Sequence, residues 1–249
     1  MIMAGNSKWI LAVVLLTAGA LACFYMAIPK KEKLTPDSVL LDSGSVFAAA
    51  EYVSPIDFEK ATEENRDIYA WIKIPGLEVD YPVLRKPGDD DYYLRRNLRG
   101  KYSVAGCLYT QAKYNGDDFS DRVTIIYGHN MTDGSMFGML EDTYSNSRDF
   151  EKHSDITVYL PKEEKHYTVV AAVPYSNVHI MEQFNRFEID EDVLNFEKFI
   201  CDSKETKAVY NRQWVPNRKD KLLILATCQK SDYNRRYILV AKLIEDRDF

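Results

Sequence analysis

Cys228 ends an apolar run, KLLILATC (221–228), and two arginines, Arg235 and Arg236, open the next run after the loop QKSDYN. If the two runs pair as a hairpin, the residue ending one lies beside those starting the other, so geometry alone brings a thiol and a guanidinium together. A guanidinium favours the thiolate, the reactive form of cysteine, and offers fixed donors to an oxyanion. Pleat alternation sends Arg235 and Arg236 to opposite faces without saying which one meets the cysteine. A proton donor and acceptor would complete the set. His129 follows the apolar strand candidate RVTIIYG (122–128) in a polar, glycine-containing loop, so it too stands at a strand end. Taken singly, a loop histidine is more often a surface residue and a strand-end cysteine more often packing. The combination is what points to nucleophilic chemistry.

The elements that must position these residues read mainly as β. Strand candidates with short alternating runs are IYAWIKI and EVDYPVL around Pro75-Gly76, AGCLYT (105–110), RVTIIYG, ITVYL (156–160), HYTVVAAVPY (166–175), KLLILATC and RRYILVAKLI (235–244). Residues 162–165 (KEEK) read as a charged hairpin loop. A helix is expected to begin with Ser54 as cap, Pro55 in the first turn and Asp57 completing a capping box, and to run to about Asp67. A short helix is expected around SMFGMLEDTY. A longer one is expected over 190–205, with Val193, Phe196, Phe199 and Ile200 on one face. Seven or eight short strands imply a mostly β, closed barrel, with an N-terminal helix and an inserted helix before the last two strands.

Composition narrows the partners. The chain has 249 residues, 46% of them hydrophobic, enough for one sizeable core. A formal net charge of −6 argues against nucleic acid, whose phosphates need a basic face. The four cysteines (23, 107, 201, 228) form no CxxC pair, and the histidines form no HExxH, so neither a disulfide framework nor a zinc site is expected. Asp89-Asp90-Asp91 lacks the spacing of a calcium loop and reads as a solvated turn, and Asp232 reads as a loop carboxylate. Cys107 and Cys201 are expected to be packing residues.

The N-terminus carries an uncharged run of 20 residues, Trp9 to Ile28, flanked by Lys8 and by Pro29-Lys30-Lys31. As a helix it would measure roughly 30 Å, the thickness of a bilayer's hydrocarbon core. Residues 1–28 are therefore expected to be a transmembrane anchor; a cleaved signal peptide is the competing reading, because Ala20-Leu21-Ala22 fits the A-x-A pattern. Residues 29–53 read as a linker and 54–249 as the catalytic domain with its N-terminal helical extension. The lysine count around the span weakly favours a cytoplasmic domain, and the domain's own chemistry decides otherwise.

LATC (225–228), an arginine eight residues on, and YGHN (127–130) together resemble the sortases, cysteine transpeptidases of Gram-positive surfaces. AWIKIPGLEVDYPVL, DDDYYLRRNLRGKYSVAGCLY and DRVTIIYGHNMTDGSMFGML resemble specifically class B sortases, over about residues 54 to 245. The resemblance implies Cys228 as nucleophile, His129 as acid and base, and Arg236 as the essential arginine, since RYILVAK (236–242) matches the family pattern. It places Thr227, Asn130 and Ala226 at the substrate. Ile224-Leu225-Ala226 departs from the family's usual Thr-Leu-x, with serine at x in many class B members, so no hydroxyl comes from Ile224 or Ala226. The resemblance further implies secreted proteins with a C-terminal sorting signal as substrates, an amine of a peptidoglycan precursor as acceptor, no cofactor, and a catalytic domain outside the cell on a single-pass anchor. Pilin polymerisation and simple hydrolysis by a secreted cysteine peptidase are the alternatives. The helix at 190–205 is expected to wall the substrate groove.

Overall fold

The computed structural model describes residues 52–244. The anchor expected at residues 1–28 and most of the linker expected at 29–53 lie outside them. Among the described residues, no helix is long and apolar enough to cross a membrane.

The first helix, α1 (Phe58–Glu64), is shorter at both ends than its sequence suggests. Asp57 is the cap, its carboxylate accepting the Lys60 amide at 3.0 Å. Ser54 instead accepts from the Ile56 amide at 3.2 Å and shapes the turn before the helix. Both side chains can cap, and the one three residues ahead of a free helical N–H takes the role.

Nine strands follow: β1 (Ile68–Ile74), β2 (Val79–Arg85), β3 (Leu108–Thr110), β4 (Val123–Tyr127), β5 (Asp155–Tyr159), β6 (Glu164–Tyr175), β7 (Val209–Tyr210), β8 (Leu222–Cys228) and β9 (Arg236–Leu243). Two short helices, α2 (Leu140–Tyr144) and α3 (Ser147–Lys152), lie between β4 and β5; α4 (Ile180–Gln183) and α5 (Asp190–Cys201) lie between β6 and β7. The strand order is β5-β1-β2-β3-β4-β8-β9-β6-β7, and β5 also pairs with β6. Eight strands therefore close into a barrel, and β7 adds to the edge of β6. That closure is the expected mostly β architecture, with no open edge along the ring. The two-residue β7 carries too little pattern to be seen in sequence. Glu164, expected in a hairpin loop, already pairs with Tyr159.

Two pairings are parallel, β2 with β3 and β4 with β8. The core divides along the pleat. Leu223 and Leu225 of β8 point into the barrel with Ile72, Val83 and Leu239, whereas Ile224 and Ala226 pack outward against Val193, Phe196 and Ile200 of α5. Because both faces of β8 are covered, it reads as an unbroken apolar run rather than an alternating one. Phe199, expected on the buried face of α5, is 48% exposed. Its ring instead lies edge-on to Tyr175 and Phe184, with centroids 6.0 and 5.6 Å apart.

Candidate active site

The parallel register of β4 and β8 assembles the site. Tyr127 is level with Ala226, and the Gly128 amide donates to the Ala226 carbonyl at 3.1 Å. Two residues on, His129 follows the end of β4 and Cys228 ends β8, so both stand at the same end of the sheet. Their separation of about 100 residues in sequence vanishes in the sheet.

On its other side β8 pairs antiparallel with β9, and Cys228 is directly opposite Arg236. The Arg236 guanidinium reaches the thiol, Nη1 standing 3.6 Å from Sγ. Arg235 precedes the strand and turns away to Glu205, with nitrogen to oxygen distances of 2.6 and 3.3 Å. That guanidinium holds the Glu205 carboxyl below its ordinary value. The open question between the two arginines is thus decided by register: Arg236 faces the thiol.

His129 begins a loop that folds back on itself. The Phe137 amide donates to the His129 carbonyl at 3.0 Å, Asn130 bridges to Met136, and Phe137 is fully buried in the barrel core. Two glycines make that fold possible. A Cβ on Gly128 would lie 2.4 Å from Leu108 and 2.7 Å from Phe137; one on Gly138 would lie 2.2 Å from the Met131 carbonyl oxygen. The His129 ring is oriented by a contact between Nε2 and the Leu94 carbonyl at 2.8 Å. A carbonyl can only accept, so Nε2 carries the proton in this contact and Nδ1 is the nitrogen left for proton exchange.

A cavity of about 290 Å³ is lined by Cys228, His129, Arg236, Ala226 and Thr227. Its walls include residues that the sequence did not single out: Leu94, Tyr109, Gln111, Tyr175, Val178 and His179. They come from β3, from the end of β6 and from connections distant in the chain, and no local pattern marks them. His179 lies 4.7 Å from Tyr114, centroid to centroid, and shares a 2.8 Å hydrogen bond through Nε2 with Gln111 Oε1. Burial lowers the His179 imidazole from its ordinary value, with Lys113 adding to the effect and Glu182 opposing it.

The segment Tyr175–Ile180 provides the wall that had been expected of the long inserted helix, since α5 contributes no residue to the cavity. The reason is the second core: α5 is committed to covering the outer face of the sheet.

Two of the residues expected at the substrate, Asn130 and Thr227, are held in ways that a plain substrate role does not describe. Asn130 is not among the lining residues; its Nδ2 donates to the Cys228 carbonyl at 2.7 Å and so holds the backbone of Cys228. Thr227 is 2% exposed and its hydroxyl is buried with no hydrogen-bond partner among the described residues. The Gln229 amide, next to the thiol, donates to the Arg235 carbonyl at 3.0 Å, which leaves Arg236 as the donor facing Sγ.

Of the other cysteines, Cys107 is buried and its thiol donates to the Arg96 carbonyl at 3.3 Å. Cys201, expected to pack, is exposed because it falls on the solvent side of the last turn of α5. Asp232 closes the β8–β9 turn through the Asn234 and Arg235 amides. Among the described residues, no group of three or more His, Cys, Asp or Glu side chains gathers as a metal site.

A β-barrel that presents a thiol, an imidazole and a guanidinium to one cavity has the equipment of a cysteine-dependent acyl-transfer enzyme. Residues 72–244 match the family model for the sortase domain. Sortase B of Listeria monocytogenes is 31% identical over 187 residues, spanning 72% of this chain and 71% of that protein. Sortase B of Staphylococcus aureus is 30% identical over 197 residues, spanning 78% and 77%. A sortase B crystallised in complex with triglycine is 28% identical and superposes with a TM-score of 0.63, covering 76% of this chain and 86% of that one. The chain belongs to the sortase family of cysteine transpeptidases, within class B.

Proposed function

We propose that this sortase cleaves a C-terminal sorting signal after threonine and joins the shortened protein to an amine of a peptidoglycan precursor. The Cys228 thiolate attacks the threonine carbonyl carbon, and the carbonyl π electrons move onto oxygen. Arg236 donates to that oxyanion while the C–N bond breaks, and His129 gives its Nδ1 proton to the departing amine. The incoming amine then attacks the thioester carbon, His129 takes back a proton, and the thiolate leaves. The reaction needs no net oxidation and no cofactor.

The observation that carries this reading is the convergence on one cavity of Cys228, with Arg236 3.6 Å from its sulfur, and His129. Support for an amine acceptor comes from the similar sortase B crystallised with triglycine. In the same reading residues 1–28 anchor the chain in the cell membrane by a single pass, with the barrel outside. That side of the membrane is where secreted substrates and wall precursors meet.

The test is a library of candidate sorting peptides screened by mass spectrometry for a thioester on Cys228, with and without triglycine. A thioester that triglycine converts to an amide product is the expected outcome. Hydrolysis alone, with triglycine and with every other amine tried, overturns transpeptidation and leaves a cysteine peptidase.

A further inference from the structure

Behind the nucleophile lies a buried carboxylate with no part in the steps above. Glu141 of α2 is 1% exposed. Its Oε1 accepts from the Lys207 ammonium at 2.6 Å, and its Oε2 accepts from the backbone N–H of Lys230 at 2.6 Å. Lys230 is two residues past Cys228, where the chain leaves β8. The Gln229 amide still bonds across the hairpin to the Arg235 carbonyl. At Lys230 the acceptor is a carboxylate from another element rather than the opposite strand.

An ionised acceptor makes a shorter and stronger bond than a neutral one. Burying that charge is unfavourable unless it is paired, and Lys207, from the connection between α5 and β7, pairs it. Asp142, the next residue of α2, holds the Lys230 ammonium. On the near side of the turn, Asn130 fixes the Cys228 carbonyl at 2.7 Å. The backbone of the nucleophile is thus gripped at Cys228 and again at Lys230, in both cases by residues of the segment that also carries His129. One stretch of chain, 128–144, therefore sets the positions of both reacting groups.

We propose that Glu141 is a positioning residue for the transpeptidation: its carboxylate fixes the turn that leaves Cys228 and so holds Sγ against Arg236. The proposal rests on Cys228 being the nucleophile. It does not depend on which peptide or amine the enzyme uses.

The experiment uses the full chain and a probe that needs no substrate. Alkylation of Cys228 by iodoacetamide is followed at one pH by peptide mass spectrometry, with the exposed Cys201 in the same digest as internal reference and near-ultraviolet circular dichroism reporting folding. Glu141→Ala removes the acceptor, Glu141→Asp retracts it by one methylene, and Glu141→Gln keeps a carbonyl at the same place. A thiol moved out of reach of a guanidinium is less often the reactive thiolate, so the expected result is a Cys228 rate about fivefold or more lower in Glu141→Ala and Glu141→Asp. Cys201 keeps its wild-type rate, and Glu141→Gln, which keeps a neutral and weaker acceptor at the same place, falls between wild type and Glu141→Ala.

Folded Glu141→Asp alkylated at the wild-type rate overturns the proposal, as does a Glu141→Gln loss equal to that of Glu141→Ala. If Ala and Asp variants both fail to fold, the wild-type chain decides by hydrogen exchange: a protected Lys230 amide is expected, and an unprotected one overturns it. Absence of any peptide thioester alongside the expected alkylation pattern would sink the transpeptidase reading and leave the role of Glu141 standing.

Discussion

Arg235 and Arg236 are chemically identical neighbours, and their difference is entirely one of direction. Strand pairing sets Arg236 opposite Cys228, and Glu205 draws Arg235 the other way. The expected outcome is that Arg236→Ala lowers the rate of thioester formation by about 10²-fold or more, the size of effect seen when an oxyanion donor is removed. Arg235→Ala is expected to leave that rate within about threefold and to cost at most ~1 kcal/mol of stability, as a partly exposed ion pair contributes little. Single-turnover assays with thermal unfolding measure both; equal rate losses would contradict the assignment. At this scale the residue types in the site were legible, because reactive side chains at strand ends stand out against apolar runs. The partner of Asn130 and the burial of the Thr227 hydroxyl were not. Whether an amide side chain meets substrate or holds the Cys228 carbonyl depends on loop geometry that no spacing rule encodes.

Among the elements, α5 shows what periodicity can and cannot say. Val193, Phe196 and Ile200 at helical spacing correctly mark a buried face. Phe199 sits at the margin of that stripe, where a small rotation exposes it, and the helix covers the sheet rather than the catalytic cavity. The same helix buries Glu197 completely, with its Oε2 accepting the Asn217 amide at 2.6 Å. Burial pushes the Glu197 carboxyl up to about 8; the Asn217 amide opposes the shift, the neighbouring Asp220 adds to it, and Lys242 opposes it.

A carboxyl raised above its unfolded value near 4.5 binds its proton more tightly in the native state. Its contribution to stability is therefore fully present below about pH 4.5 and is lost as pH rises through about 8. Replacing Glu197 with Gln removes that titration. The expected outcome is a wild-type unfolding midpoint that falls between about pH 5 and 8 more steeply than that of Glu197→Gln. Parallel curves for the two proteins would show that the group does not titrate in this window.

For the whole molecule, the expected anchor is open to a direct check. The full chain should sediment with membranes and lose that association when residues 1–28 are removed, and protease added to intact cells should reach the barrel. A full chain found in the soluble fraction would contradict anchoring. By itself the sequence determined the fold class, since its short β runs and one long amphipathic helix allow few other packings. It also determined the chemical types in the site and the family, through YGHN, LATC and an arginine at a set distance. The tertiary structure alone decided that β4 and β8 pair in parallel with Tyr127 level with Ala226, that Arg236 rather than Arg235 meets the thiol, and that Tyr175–Ile180 walls the cavity. The physical reason is range. Side-chain periodicity is a local property of a strand or helix, whereas register between strands separated by about 100 residues is set by closing the barrel and filling its core on both faces of β8.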